Sequence, residues 1–171
     1  MHLVVHEGTT AELTDGMEHG EYDLCIMVLP VNERIFAYET ILEEELVLAV
    51  PAEYPAFDAG TMEGRRYPAI DARMLDGQRF VMVTDTQVMQ QTLEKAAVVK
   101  SLTAQIAMVS EGVGMALVPT GMERFAPTGS VTFYSFRQPL PRRQVAAIWR
   151  RDRALSQVSR KLLDVVHDTK W

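Results

Sequence analysis

Three times in this sequence an apolar run of β-strand character passes directly into a hydroxyl-bearing or acidic helix start: VVHEGTTAEL, RFVMVTDTQ and VVKSLTAQIAMV. Thr9 stands three residues ahead of Glu12, and Thr84 three ahead of Gln87, which is the spacing of a capping box. Ser101 precedes Leu102, Ile106 and Val109, which recur at helical spacing. Helices that begin where strands end imply an α/β architecture, and the alternation implies largely parallel pairing. In open sheets of this class the carboxyl ends of the strands border the ligand crevice. Helix N-termini gathered there favour a small anion or a polar neutral ligand. Taken singly, each cap is more simply only a cap.

The same logic resolves the stretch SEGVGMALVP. A phosphate-binding glycine loop follows a strand and opens a helix. Here the helix, Leu102 to Glu111, comes first and the strand, Met115 to Val118, second. Gly112 and Gly114 therefore read as a helix C-cap and a tight turn. Other strands are expected at Leu3 to His6, Tyr22 to Leu29, Phe36 to Ile41, Glu45 to Val50, Phe80 to Val83, Ala97 to Lys100, Val131 to Phe136 and Gln144 to Trp149. Helical turns are expected at Asp71 to Leu75 and Thr120 to Phe125, and a helix at Asp85 to Ala96. A Pro-, Gly- and Arg-rich loop covers Ala52 to Pro68. The chain closes on an amphipathic helix whose Leu155, Val158, Leu162 and Val165 form one stripe.

Composition narrows the function classes. The 171 residues carry a net charge of -6, and the pI near 5.2 argues against nucleic-acid binding through the chain's own surface. One basic crowd stands out, Arg137, Arg142, Arg143, Arg150, Arg151, Arg153, Arg160 and Lys161, and a solvated strand end and helix face is its favoured reading. Cys25, the single cysteine, sits in the apolar run YDLCIMVL and reads as a buried inert thiol. No apolar run approaches the ~20 residues needed to span a bilayer, and MHLVVHEG lacks the regions of a signal peptide. A cytoplasmic location is expected.

The runs VVHEGTTAELTDGMEHGEYDLCI, LEEELVLAVPAEYPA, RFVMVTDTQ, SLTAQIAMVSEGVGMALVP and RRQVAAIWRRDRALSQVSRKLLDVV, in this order, resemble the effector-binding domain of LysR-type transcriptional regulators. The resemblance implies an α/β, periplasmic-binding-protein-like (type 2) fold: two lobes joined by two crossover strands, with a small-molecule inducer between them. Lobe I would comprise 1–49 and 142–171, and lobe II 50–141. The family's N-terminal winged helix-turn-helix is not in this chain. Nor is the strand and helix with which its first lobe starts, so residues are expected to precede Met1 and Leu3 to His6 to border an empty slot. Because no turn separates the expected helix end at Ala96 from the strand at Ala97, a segment is expected to be missing there. Tyr54 replaces the histidine of the family's HP pair, which removes a polar group.

Carried over position by position, the resemblance implies an effector site lined by Thr9, Thr10, Met27, Val28, Leu29, Thr84, Asp85, Thr86 and Ser101. Hydroxyls and backbone N–H groups can hold a carboxylate without a buried countercharge, so a small organic acid suits the site. Some relatives have a basic side chain near Val28; its absence here weakens the case for a doubly charged inducer. Asp85 either caps its helix, the favoured reading, or attracts an amine and repels an acid. The expected partners are that effector and a second copy of the chain, as homodimer or tetramer, with the strand near Val4 and the helix Asp85 to Ala96 as candidate faces. DNA contact falls to the N-terminal domain, and no membrane is involved. No cofactor, catalytic residue or metal site is expected. Asp23, Glu39 and Asp85 lie in separate elements, no GxSxG elbow is present, and His2 and His6 lack a third ligand at suitable spacing. A transporter's solute-binding protein, or an enzyme on the same two-lobed fold, is the alternative.

Overall fold

The computed structural model describes residues 4–83, 94–138 and 140–169, with the backbone alone for 94–96. Its elements, in chain order, are α1 (Thr10–His19), β1 (Cys25–Val28), β2 (Phe36–Glu44), β3 (Leu46–Pro51), β4 (Ala69–Ile70), β5 (Arg79–Val83), β6 (Glu94–Val99), α2 (Leu102–Ser110), β7 (Ala116–Pro119), β8 (Val131–Phe136), β9 (Arg143–Arg150) and α3 (Gln157–Asp168). Two 3-10 turns, Ala72–Leu75 and Thr120–Phe125, fall where helical turns are expected. The chain divides into two compact units, Met1–Glu44 with Arg143–Trp171, and Glu45–Arg142.

In the first unit β9 lies between β1 and β2 and runs antiparallel to both. Cys25 and Met27 of β1 alternate with Ile26, and Ala146 and Ile148 of β9 with Ala147, so one face gathers Cys25, Met27, Ala146 and Ile148 around Met17 of α1 and Phe36. Ile26 points away and is exposed.

In the second unit the strand order is β4-β8-β3-β7. The run LVLAVP of β3 is central and covered on both faces, which is why it is apolar throughout rather than alternating. Val47 and Ala49 pack with Ile106 and Val109 of α2 and with Phe133. Leu48 and Val50 pack with Ile70, Leu75, Phe80, Tyr134 and Phe136 on the other side. Each Val, Leu, Ile or Phe side chain among these taken fully out of water stabilises by about 1.5–3 kcal/mol. A separate parallel pair, β5 and β6, joins this framework through Met115, whose carbonyl accepts from Val81 N and whose N–H donates to Arg79 O.

Parallel pairing holds for β5/β6 and β4/β8. The ladders β1/β9, β2/β9, β3/β7 and β3/β8 are antiparallel, contrary to the sequence expectation. Alternation predicts parallel pairing only for strands joined by a crossover helix. Here β2 and β3 are separated by Glu45 alone and belong to different units, and β9 returns from the C-terminal third to separate β1 from β2.

Three further expectations fail. Val4, Val5 and His6 form no strand, and Val4 and Val5 are 61% and 79% exposed; a β-prone run without a ladder partner has nothing to hold it extended. The expected helix Asp85 to Ala96 falls largely outside the described residues, and its end, Glu94 to Ala96, is strand. β6 runs through Ala96 and Ala97 alongside β5, with a register shift at Ala96. No helix ends at Ala96, so no turn is required there, and the reason for expecting a missing segment disappears. In α3 the buried row is Ser159, Leu163 and Val166, one residue over from the expected stripe, of which Val158 and Val165 are exposed. Periodicity alone cannot choose between adjacent rows of one helix.

Candidate functional site

The start of α1 is a closed capping box. Thr9, in extended conformation, accepts from Glu12 N at 3.3 Å, while Glu12 Oε2 accepts from Thr9 N at 2.8 Å and from Thr9 Oγ1 at 2.9 Å. The Glu12 carboxylate therefore stands over the first turn, where the helix end is electropositive. It offsets that field, so this end suits a hydroxyl or another neutral polar group and opposes a second carboxylate. Thr10 follows as an exposed first helical residue.

At the end of β1 the Met27 side chain is 4% exposed and belongs to the core, which leaves its backbone as the part able to meet a ligand. Val28 and Leu29 are half-buried, and Leu29 N donates to Gln144 O at 2.9 Å. Leu29 and Leu13 of α1 pack against the same core cluster, so the β1 end and the α1 start are anchored to one body.

The start of α2 differs in charge. Ser101 is extended and its Oγ accepts from Ala104 N at 3.2 Å, but the first turn carries no acid. Among the described residues the first turn of α2 thus holds no acid to offset its dipole, and this favours an anion. Behind it the buried Gln105, a polar residue inside an apolar row, donates from Nε2 to Val81 O at 2.8 Å, and its Oε1 has no partner among the described residues. That amide ties α2 to β5. Thr84, Asp85 and Thr86 lie outside the described residues. Of the residues expected to line a site, Thr9, Thr10, Met27, Val28 and Leu29 belong to the first unit and Ser101 to the second.

Other residues carry roles that motif reading misses. Tyr54 does not remove a polar group: its hydroxyl donates to Gly112 O and accepts from Arg79 Nη2, both at 3.2 Å. Gly112 follows the C-cap Glu111 at φ 76°, as expected of a helix end. The basic crowd is largely committed to the fold. Arg150 donates to Glu18 O and to the Asp152 carboxylate, and Arg151 to Glu33 O and Phe36 O. Glu39 is held by His167 at 2.9 Å, and His6 packs beside the Tyr22 ring. Cys25 is buried, and burial pushes its thiol up to about 11, out of nucleophilic range at neutral pH. Burial likewise raises the Glu44 carboxyl, more than the nearby Arg143 lowers it. Among the described residues no three His, Cys, Asp or Glu side chains are grouped to hold a metal ion, and no helix is long and apolar enough to cross a membrane.

Comparison with known proteins places these features in a family. The LysR substrate binding domain matches residues 1–171. The uncharacterized HTH-type transcriptional regulator YwbI of Bacillus subtilis (strain 168) is 24% identical over 176 residues, a match covering 96% of this chain and 56% of that protein. The chain therefore spans little more than half the length of this curated relative. Among solved structures, the CcmR regulatory domain of Synechocystis PCC6803 in complex with 2-PG has a TM-score of 0.72 at 17% identity, covering 91% of this chain and 77% of that one. The effector binding domain of QuiR in complex with shikimate has a TM-score of 0.71 at 18% identity, covering 93% and 77%. These likenesses establish a shared fold.

Proposed function

This chain belongs to the LysR substrate binding domain family, and we propose that it senses a small hydroxycarboxylate for a transcription regulator whose DNA-binding part lies outside these residues. The family match over the whole chain carries the regulator reading and disfavours the transporter and enzyme alternatives. The ligand class rests on the unequal helix starts: Ser101 heads a turn with no acid and offers an anion site, while Thr9 and Glu12 offer a hydroxyl site. The residues this proposal assigns to binding are Thr9, Thr10, the backbone of Met27, Val28 and Leu29 of the first unit, and Thr84, Asp85, Thr86 and Ser101 of the second. That two relatives of the same fold were solved with 2-PG and shikimate supports a small oxygen-rich ligand. The role is binding rather than turnover. Its output is a shift in population between conformations, because a ligand biases only an equilibrium whose states it binds unequally, typically by ~1–3 kcal/mol. Homodimers or tetramers, a cytoplasmic location and DNA contact through the remaining part of the protein complete the reading.

Calorimetric titration with a small hydroxycarboxylate, its amide and its deoxy analogue tests the ligand class. Saturable binding of the hydroxycarboxylate, with weaker binding of both analogues, is expected. Equal binding of the amide would remove the anion site from the account.

A further inference from the structure

The chain passes between its two units at two peptide bonds, Glu44–Glu45 and Arg142–Arg143. One crossing therefore carries two adjacent acids and the other two adjacent bases. On the first unit's side, Glu44 and Arg143 are register partners at the end of the β2/β9 ladder, with Arg143 Nε 3.4 Å from Glu44 Oε2. On the second unit's side, Arg142 Nη2 donates to Glu45 Oε1 at 2.8 Å, and Arg65 Nη1 stands 3.5 Å from the same oxygen. One residue further back, Gln144 Nε2 donates to Glu43 Oε1 at 2.8 Å. Three consecutive rungs thus join residues about a hundred positions apart in sequence.

We propose that Glu44–Arg143 and Glu45–Arg142, with Arg65 behind Glu45, form an ionic clamp that fastens the two crossings to each other in this register. The sign pattern is what makes the clamp specific. Two acids in succession repel each other, as do two bases, and both repulsions are relieved only when the crossings lie paired in this register. The inner rung contributes little to stability. Glu44 Oε2 and Arg143 Nε are buried without a hydrogen bond, and a desolvated pair of that kind seldom returns more than burial costs. Its effect is on geometry. The rungs on either side of the crossing points hold the two chain segments in one register. The clamp acts whatever the ligand is, so it does not depend on the effector class proposed above.

Backbone hydrogen exchange on the whole chain tests it, read over 43–46 and 141–145 against β3 and β8 as internal references. R142Q should speed exchange at the crossings by about fivefold, the ratio an exposed ion pair of ordinary strength supplies, with R142E faster still and R142K close to the unsubstituted chain. Raising the salt concentration should speed the unsubstituted crossings and move R142Q less, because only Arg65–Glu45 and Glu44–Arg143 remain there to be screened. Crossings that exchange at an unchanged rate in R142Q and in high salt would overturn the proposal. So would acceleration spread equally over β3 and β8, which means general loss of stability. If R142E fails to fold, R142Q and the salt series still decide.

Discussion

The two units solve burial differently. In the second, β3 is covered on both faces by separate apolar clusters, and among the described residues the exposed large apolar side chains are Met62, Val98 and Phe125. In the first, one cluster fills one face of a three-stranded sheet, and Val4, Val5, Ile26, Tyr38, Val158 and Val165 are exposed. The contrast teaches that apolar patterning alone does not say which side chains are buried. LVLAVP and the row Val158, Leu162, Val165 are both apolar at regular spacing, yet the first is core and much of the second is wet.

Substitutions can break or sharpen that contrast. The largest effects belong to the fully buried aromatics, Phe80 in the second unit and Phe36 in the first. Phe80→Ala and Phe36→Ala should each cost about 3–5 kcal/mol in denaturant unfolding. If the units are separately cooperative, each substitution moves a different transition; identical shifts of a single transition would erase the distinction. Next come two glycines. A Cβ at Gly16 of the first unit would collide with the Tyr22 ring, and one at Gly112 of the second would collide with the Glu53 carboxylate at a backbone φ of 76°. Gly16→Ala must displace a packed ring and should cost about 1–3 kcal/mol. Gly112→Ala must hold alanine in the left-handed region, at about 1–2 kcal/mol. Thermal melts of both variants check the order. Smaller still, Val158→Ser and Val165→Ser should stay within about 0.5 kcal/mol of the unsubstituted chain. A larger loss would mean that this row is covered in solution.

The smallest effect is one of pH. Burial holds the folded Glu44 carboxyl above its ordinary value, so folding takes up protons between the unfolded and folded pKa values. The sign follows from linkage: this group's contribution to stability is greatest below the unfolded pKa and is lost as pH rises through the folded one. Comparing melts of Glu44→Gln and the unsubstituted chain from pH 4 to pH 7 should show the variant lacking that slope. Parallel pH profiles would refute the assignment.

Local chemistry was legible in the sequence. The Thr9–Glu12 box, the Ser101 cap, the turn at Asp71 to Leu75 and the left-handed Gly112 each depend on residues a few positions apart, and each is present. What the sequence hid is non-local. The antiparallel sense of β9 against β1 and β2 depends on a return from more than a hundred residues away, and the rungs from Glu43–Glu45 to Arg142–Gln144 depend on the same return. The polar function of Tyr54 depends on Arg79 and Gly112 meeting it. Of the candidate site, the two cap geometries were readable, whereas the burial of the Met27 side chain, which withdraws it from any ligand, needed the packed core of the first unit.

The central claim is that helix starts of unequal charge select a hydroxycarboxylate. Thermal melting of the chain with a series of small hydroxycarboxylates, alone and in Thr9→Ala and Ser101→Ala variants, tests it most directly. A ligand at a hundred times its Kd adds about 2.7 kcal/mol to the native state. At least one member of the series should raise Tm, Ser101→Ala should abolish most of that rise, and Thr9→Ala should erase the advantage of the hydroxy acid over its deoxy analogue. A series in which no member moves Tm at millimolar concentration, or a rise that survives Ser101→Ala intact, would contradict the account.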